Sequence, residues 1–111
     1  MKLREIVNVL ECEVLTGDLN MDEEILYGYT SDLLSEVIGK AKAGSIWITI
    51  QSHLNIIAVA VLVGIKAIVI CEDKSVDSKI VEKAKEEGVA LLRTKENAFR
   101  TSGFLFKAGL N

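Results

Sequence analysis

The sequence contains no proline, so no stretch of it makes a stiff, extended linker between separate units. It has two cysteines, Cys12 and Cys71. Two cysteines so far apart make neither a disulfide framework nor a zinc site, which needs about four ligands at workable spacing. Histidine occurs once, as His53, and aromatic residues make up 5% of the chain. A single imidazole limits acid–base chemistry. Basic runs are absent as well: 13 lysines and arginines are scattered among 16 acids, for a net charge of −3. Nucleic-acid binding draws on a basic stripe that neutralises phosphates, and none is present. The phosphate-cradling loops are missing. The best approach to G-x-x-x-x-G-K-[ST] is Gly39-Lys40-Ala41, but Leu34 stands where the first glycine is required and Ala41 where the magnesium-binding hydroxyl is. No G-x-G-x-x-G occurs, which removes the usual dinucleotide fingerprint. No cofactor and no metal is expected.

What the chain does have is an ordinary globular mix, with 50% hydrophobic and 26% charged residues in 111 positions. That length fits one domain over residues 1–111, with enough apolar surface for one core. Leu54 to Ile70 is nearly all apolar, but Gly64 and Lys66 interrupt it, and a central lysine costs a few kcal/mol in a bilayer. A helix, a turn and a buried strand are expected there, with no membrane span. The first residues, MKLREIVNVLECEV, lack the long apolar core of a signal peptide. A cytoplasmic location is expected.

The periodicity predicts an alternation of helices and strands. Leu3, Ile6, Val7 and Leu10 follow helical spacing. Short strands are expected at Glu13 to Thr16 and Ile25 to Tyr29, then a helix from Asp32 to about Lys42 capped by Thr30 or Ser31. In the second half, apolar strands at Ile46 to Ile50, Ala67 to Cys71 and Val89 to Leu92 alternate with helices. Those helices are expected at His53 to Val63, Val76 to Glu87 and Lys95 to Ala108, the last capped by Thr94. Continuous apolar strands alternating with helices indicate α/β architecture: a small, mostly parallel sheet with helices on both faces. The 53–63 helix is apolar nearly all round, so more than one of its sides needs cover. A second copy of the chain is expected to supply it.

In open parallel sheets, ligands sit beyond the carboxyl ends of the strands. Three segments qualify. Gln51-Ser52-His53-Leu54-Asn55 offers amide, hydroxyl and imidazole groups beside a helix N-terminus, which favours an anion. Capping by Ser52 explains the same residues without a ligand. Cys71-Glu72-Asp73-Lys74-Ser75 carries acids that repel anions, and suits an exposed turn. Arg93-Thr94-Lys95 places two cations around a helix cap, which suits a phosphate or carboxylate, or is a cap with solvated charges. Gly28-Tyr29-Thr30-Ser31-Asp32 adds hydroxyls and an acid before a helix, and a turn with a cap accounts for most of it. Trp47, inside a strand, is expected in the core.

The order Gly28-Tyr29, Ser31-Asp32-Leu33-Leu34-Ser35, then Trp47-Ile48-Thr49 followed by Gln51-Ser52-His53 and Asn55, resembles the DRTGG domain family. The likeness covers nearly the whole chain. The string Asp-Arg-Thr-Gly-Gly itself does not occur, and Arg100-Thr101-Ser102-Gly103 is a partial echo of it. That family is similar to the N-terminal domain of HPr kinase/phosphorylase, and is found beside CBS domains in some pyrophosphatases and at the start of some phosphate acetyltransferases. The resemblance implies a fold like that of the HPr kinase N-terminal domain and a regulatory or assembly role, with kinase chemistry belonging to a separate P-loop domain.

The leading expectation is therefore a non-catalytic regulatory module, a homo-oligomer binding a small anionic ligand such as an adenine nucleotide. The candidate ligand residues are Ser31, Asp32, Gln51, Ser52, His53, Asn55, Thr94 and Lys95. The alternative is an interaction module that recruits a partner enzyme in trans, without a small ligand. A third option is a small enzyme using His53 with Ser31, Asp32 or Ser35; no convergent acid, base and nucleophile supports it.

Overall fold

A computed structural model describes residues 1–111. In chain order the elements are α1 (Leu3–Leu10), β1 (Glu13–Val14), β2 (Tyr27–Thr30), α2 (Leu34–Lys40), β3 (Ser45–Thr49), α3 (Asn55–Val63), β4 (Ala67–Ile70), α4 (Ser78–Glu87), β5 (Ala90–Arg93) and α5 (Ala98–Lys107). They form one five-stranded sheet in the order β1-β5-β4-β3-β2. The four strands β2 to β5 are parallel, and β1 pairs antiparallel with β5 at one edge. The expected α/β architecture, mostly parallel with helices on both faces, is what the chain adopts.

Alternation along the strands sorts the core into two layers. Ile46, Ile48, Ala67, Val69, Cys71, Ala90 and Leu92 meet α1 and α5 on one face. Trp47, Ile68, Ile70 and Leu91 meet α2, α3 and α4 on the other. Because both faces are covered, β3 and β4 are buried throughout and read as unbroken apolar runs. The apolar stretch from Leu54 to Ile70 splits where expected. Gly64 ends α3 at φ 88°, in the left-handed region that glycine adopts without strain, and β4 starts three residues later. No helix is long and apolar enough to cross a membrane.

The helix starts differ from expectation: Ser31, Asp32 and Thr94 bond turn or loop groups instead, and no helix amide reaches the Ser52 hydroxyl. Asp32 is drawn out of α2 because its carboxylate accepts from the Thr49 hydroxyl (2.9 Å) and the Ile50 amide (2.8 Å). Ser31 Oγ accepts from Leu33 N, and Leu33, which has no capping side chain, becomes the N-cap. Ser52 does not cap α3. His53 Nδ1 accepts from Asn55 N at 3.3 Å, and the helix starts at Asn55. Thr94 does not cap α5 either: its hydroxyl accepts from Glu96 N in a turn, and Asn97 caps the helix through Arg100 N.

Both cysteines are free. Burial pushes the Cys12 thiol from 9.0 up to about 11. Burial raises Cys71 too, aided by the Asp32 and Glu72 charges and opposed by a contact with the Thr101 hydroxyl. A raised folded-state value means the folded chain holds its thiol protons more tightly than the unfolded chain. The resulting stabilisation is complete below the unfolded value and is lost as pH rises from 9.0 through about 11. Thermal midpoints measured across that range are expected to fall, and Cys12→Ser is expected to flatten part of the decline.

Candidate functional site

The carboxyl ends of the parallel strands all open on one rim of the sheet, and most of the nominated residues gather there. At the ends of β2 and β3 they form a closed hydrogen-bond network. Trp47 is fully buried, and its indole Nε1 donates to the Ser31 carbonyl at 2.8 Å. Gln51 Nε2 donates to the Asp32 carbonyl at 3.1 Å, and Gln51 N donates to Thr49 Oγ1, also at 3.1 Å. Ser31, Asp32 and Gln51 thus fix the loop after β3 against the loop after β2. Their main work is positioning.

Beyond that clamp lies a cleft of about 300 Å³ lined by Ile50, Gln51, Ser52, His53 and Lys74. The backbone amides of Ser52, His53 and Leu54 donate no backbone hydrogen bond. They stand at the N-terminal end of α3, where the helix carries partial positive charge. His53 accepts through Nδ1, which leaves its proton on Nε2. Asn55 does not line this cleft: it occupies the first helical position of α3 and lines a different one, between α3 and α4.

Lys74 is the residue that sequence reasoning missed. The acids of its segment were expected to repel anions, but the turn disposes of one of them. Glu72 and Asp73 both adopt left-handed backbone, at φ 65° and 56°. Their amides donate to the Glu96 and Thr94 carbonyls. Asp73 then pairs with Arg93 at 2.9 Å, while Lys74 lines the cleft beside His53. The available signal was the turn itself: Asp tolerates left-handed backbone, and Cys71-Glu72-Asp73-Lys74 reads as a tight turn after an apolar strand.

Thr94 and Lys95 lie apart from this cleft. Strand β5 is two strands from β3, about 10 Å across the sheet. Their groove, about 440 Å³, also contains Glu11, Glu13, Asp73 and Glu96. Arg93, expected as a free cation, is spent. It bridges Glu13 (3.1 Å) and Asp73 (2.9 Å) and donates through Nε to the Lys74 carbonyl at 2.8 Å. Its role is to hold the Lys74 turn. The echo at Arg100 to Gly103 is helical, within α5. Arg100 pairs with Glu96 at 2.7 Å, and Thr101 is buried with its hydroxyl on the Asn97 carbonyl.

The fold is of the α/β class, a mostly parallel sheet covered by helices on both faces, with a polar cleft bearing Lys74 at its carboxyl end. Within that class, the chain belongs to the DRTGG domain family, whose family model matches residues 5–108. It shares its fold with part of a solved structure, the CBS and DRTGG domains of the regulatory region of Clostridium perfringens pyrophosphatase complexed with the activator diadenosine tetraphosphate. The TM-score is 0.72 at 14% identity, over 94% of this chain and 45% of that one. The chain thus spans less than half the length of that neighbour. No curated protein matches it.

Proposed function

We propose that this chain is a non-catalytic, cytoplasmic regulatory module that binds a small anionic ligand of the adenine nucleotide class in the cleft between His53 and Lys74. One observation carries the proposal: a lysine ammonium, an imidazole and free amides at a helix N-terminus converge on a single opening. Ser31, Asp32 and Gln51 position that opening. Ser52, His53 and Lys74 meet the ligand, whereas Asn55 faces the neighbouring cleft between α3 and α4, and Thr94 and Lys95 lie in a separate groove beside four carboxylates. The absence of assembled chemistry supports a binding role: Asp32 is engaged by Thr49 and Ile50, and His53 Nδ1 by Asn55. The neighbour's complex with a dinucleotide activator is in keeping with it. A thermal-shift panel of nucleotides, phosphorylated metabolites and simple anions tests the proposal. A ligand at 100 times its Kd adds about 2.7 kcal/mol, on the order of 10 °C at this size. The shift is expected to vanish in Lys74→Ala and His53→Ala.

The module is proposed to act as a homo-oligomer through α3. That helix buries Ile56, Ile57, Val59 and Ala60, but leaves Leu54, Ala58, Val61 and Leu62 outward. Spacings of 4, 3 and 1 put these four on one stripe. The stripe is large at both ends and small at Ala58, so an antiparallel two-fold pairing sets Leu54 against the other copy's Leu62. Leu62 is 70% exposed, so Leu62→Glu leaves the fold intact. Sedimentation at micromolar concentration is expected to show a dimer that Leu62→Glu converts to monomer.

A second reading, recruitment of a partner enzyme in trans, is favoured by two exposed phenylalanines on α5: Phe99 at 86% and Phe106 at 71%.

A further inference from the structure

Strand β2 is the last strand on its side of the sheet. Its inward groups pair with β3, and Ser31 N continues that ladder to Ile48 O. By alternation, Gly28 and Thr30 turn their backbone groups to the open edge. The Gly28 amide there donates to the Asn111 carbonyl at 2.9 Å, so one chain segment already rests on this edge. Thr30 lies beyond that contact. Its protection is limited to its four-residue length and the Asn111 contact at Gly28: β2 has no proline and no charged side chain.

The two flanks of the edge differ in character. On the α5 side, a cleft of about 540 Å³ is lined by Phe99, Phe106, Leu105 and Leu110 together with Gly28 and Thr30. On the opposite side, Tyr27 and Tyr29 stand with Lys42, whose ammonium lies 4.7 Å from the centre of the Tyr27 ring, and with Lys40, which pairs with Glu36 at 2.7 Å. A strand laid along β2 would alternate its side chains between an apolar trough and a basic, aromatic shelf.

We infer that the β2 edge is a docking site for an extended segment of a partner protein. The segment adds to the sheet as a sixth strand, with apolar side chains toward Phe99 and Phe106 and acidic ones toward Lys42. Main-chain pairing at the Gly28 carbonyl and the Thr30 amide, beyond the Asn111 contact, supplies affinity, and the two unlike flanks supply register. This deepens the partner-recruiting reading and is independent of the His53 cleft.

The test is selection from a displayed library of random octapeptides on the full chain, followed by titration of the enriched peptides. Enriched sequences are expected to alternate apolar and acidic residues. Their binding is expected to protect the Thr30 amide from hydrogen exchange. Phe99→Ser, a change at an exposed side chain that leaves the fold intact, is expected to weaken binding at least tenfold, and Thr30→Pro, which removes one outward donor, should do the same. Binders that ignore both substitutions overturn strand addition but leave recruitment at another face. No enriched binder overturns both. A dimer abolished by Phe99→Ser also overturns the proposal, because a second copy then owns the edge.

Discussion

Trp47→Ala is expected to cost about 3–5 kcal/mol, the usual range for deleting a buried aromatic side chain. Whole domains are stable by only about 5–15 kcal/mol, so urea or thermal unfolding should show a protein near the limit of folding. Trp47 has no exposed surface and is the largest side chain in the layer that meets α2, α3 and α4. Its second role is at the rim, where the indole N–H holds the Ser31 carbonyl. Trp47→Phe separates the two. It keeps most of the volume and leaves Ser31 without its donor, at about 1–3 kcal/mol. If Trp47→Phe weakens ligand binding more than its stability loss explains, the indole bond is what shapes the cleft.

Asp32→Ala is expected to have the largest effect of any rim substitution. It strips the buried Thr49 hydroxyl and the Ile50 amide of their shared acceptor. A charged hydrogen bond contributes about 1.5–3 kcal/mol, and Asp32 is exposed, so about 2 kcal/mol for the pair is the expected loss. The larger consequence is local. Gln51 Nε2 bonds the Asp32 carbonyl, so freeing residue 32 lets the loops after β2 and β3 drift apart. Denaturant unfolding and ligand titration should move together in Asp32→Ala. Asp32→Asn, which keeps one acceptor oxygen, should hold most of both.

The parts of the fold that follow local rules were legible in the sequence. Burial of β3 on both faces is written in its unbroken apolar run, and Gly64 and Gly88 end α3 and α4 as glycine ends helices. What escaped were polar residues whose partners are distant in sequence. Asp32 reads as the start of a helix, yet its acceptors serve residues 17 and 18 positions on. Arg93 reads as a free cation for a phosphate, yet Glu13, 80 positions away, neutralises it. Strand β1 is regular only over Glu13 and Val14, but the contact with β5 runs on to Thr16 as expected: Leu15 N donates to the Leu91 carbonyl, and the Thr16 hydroxyl accepts from Leu91 N. Local pattern reports what a residue can do. Which partner claims it is decided when the strands align.

The central claim is that the cleft between His53 and Lys74 holds an anionic nucleotide. An NMR titration of the full chain with ATP tests it most directly. The amides of Ser52, His53 and Leu54 should shift first and saturably, with Lys74 following, and the Lys74→Ala protein should show no such shifts. Saturable shifts confined to other residues, or a spectrum unchanged at millimolar ATP and equally unchanged by diadenosine tetraphosphate, would contradict it.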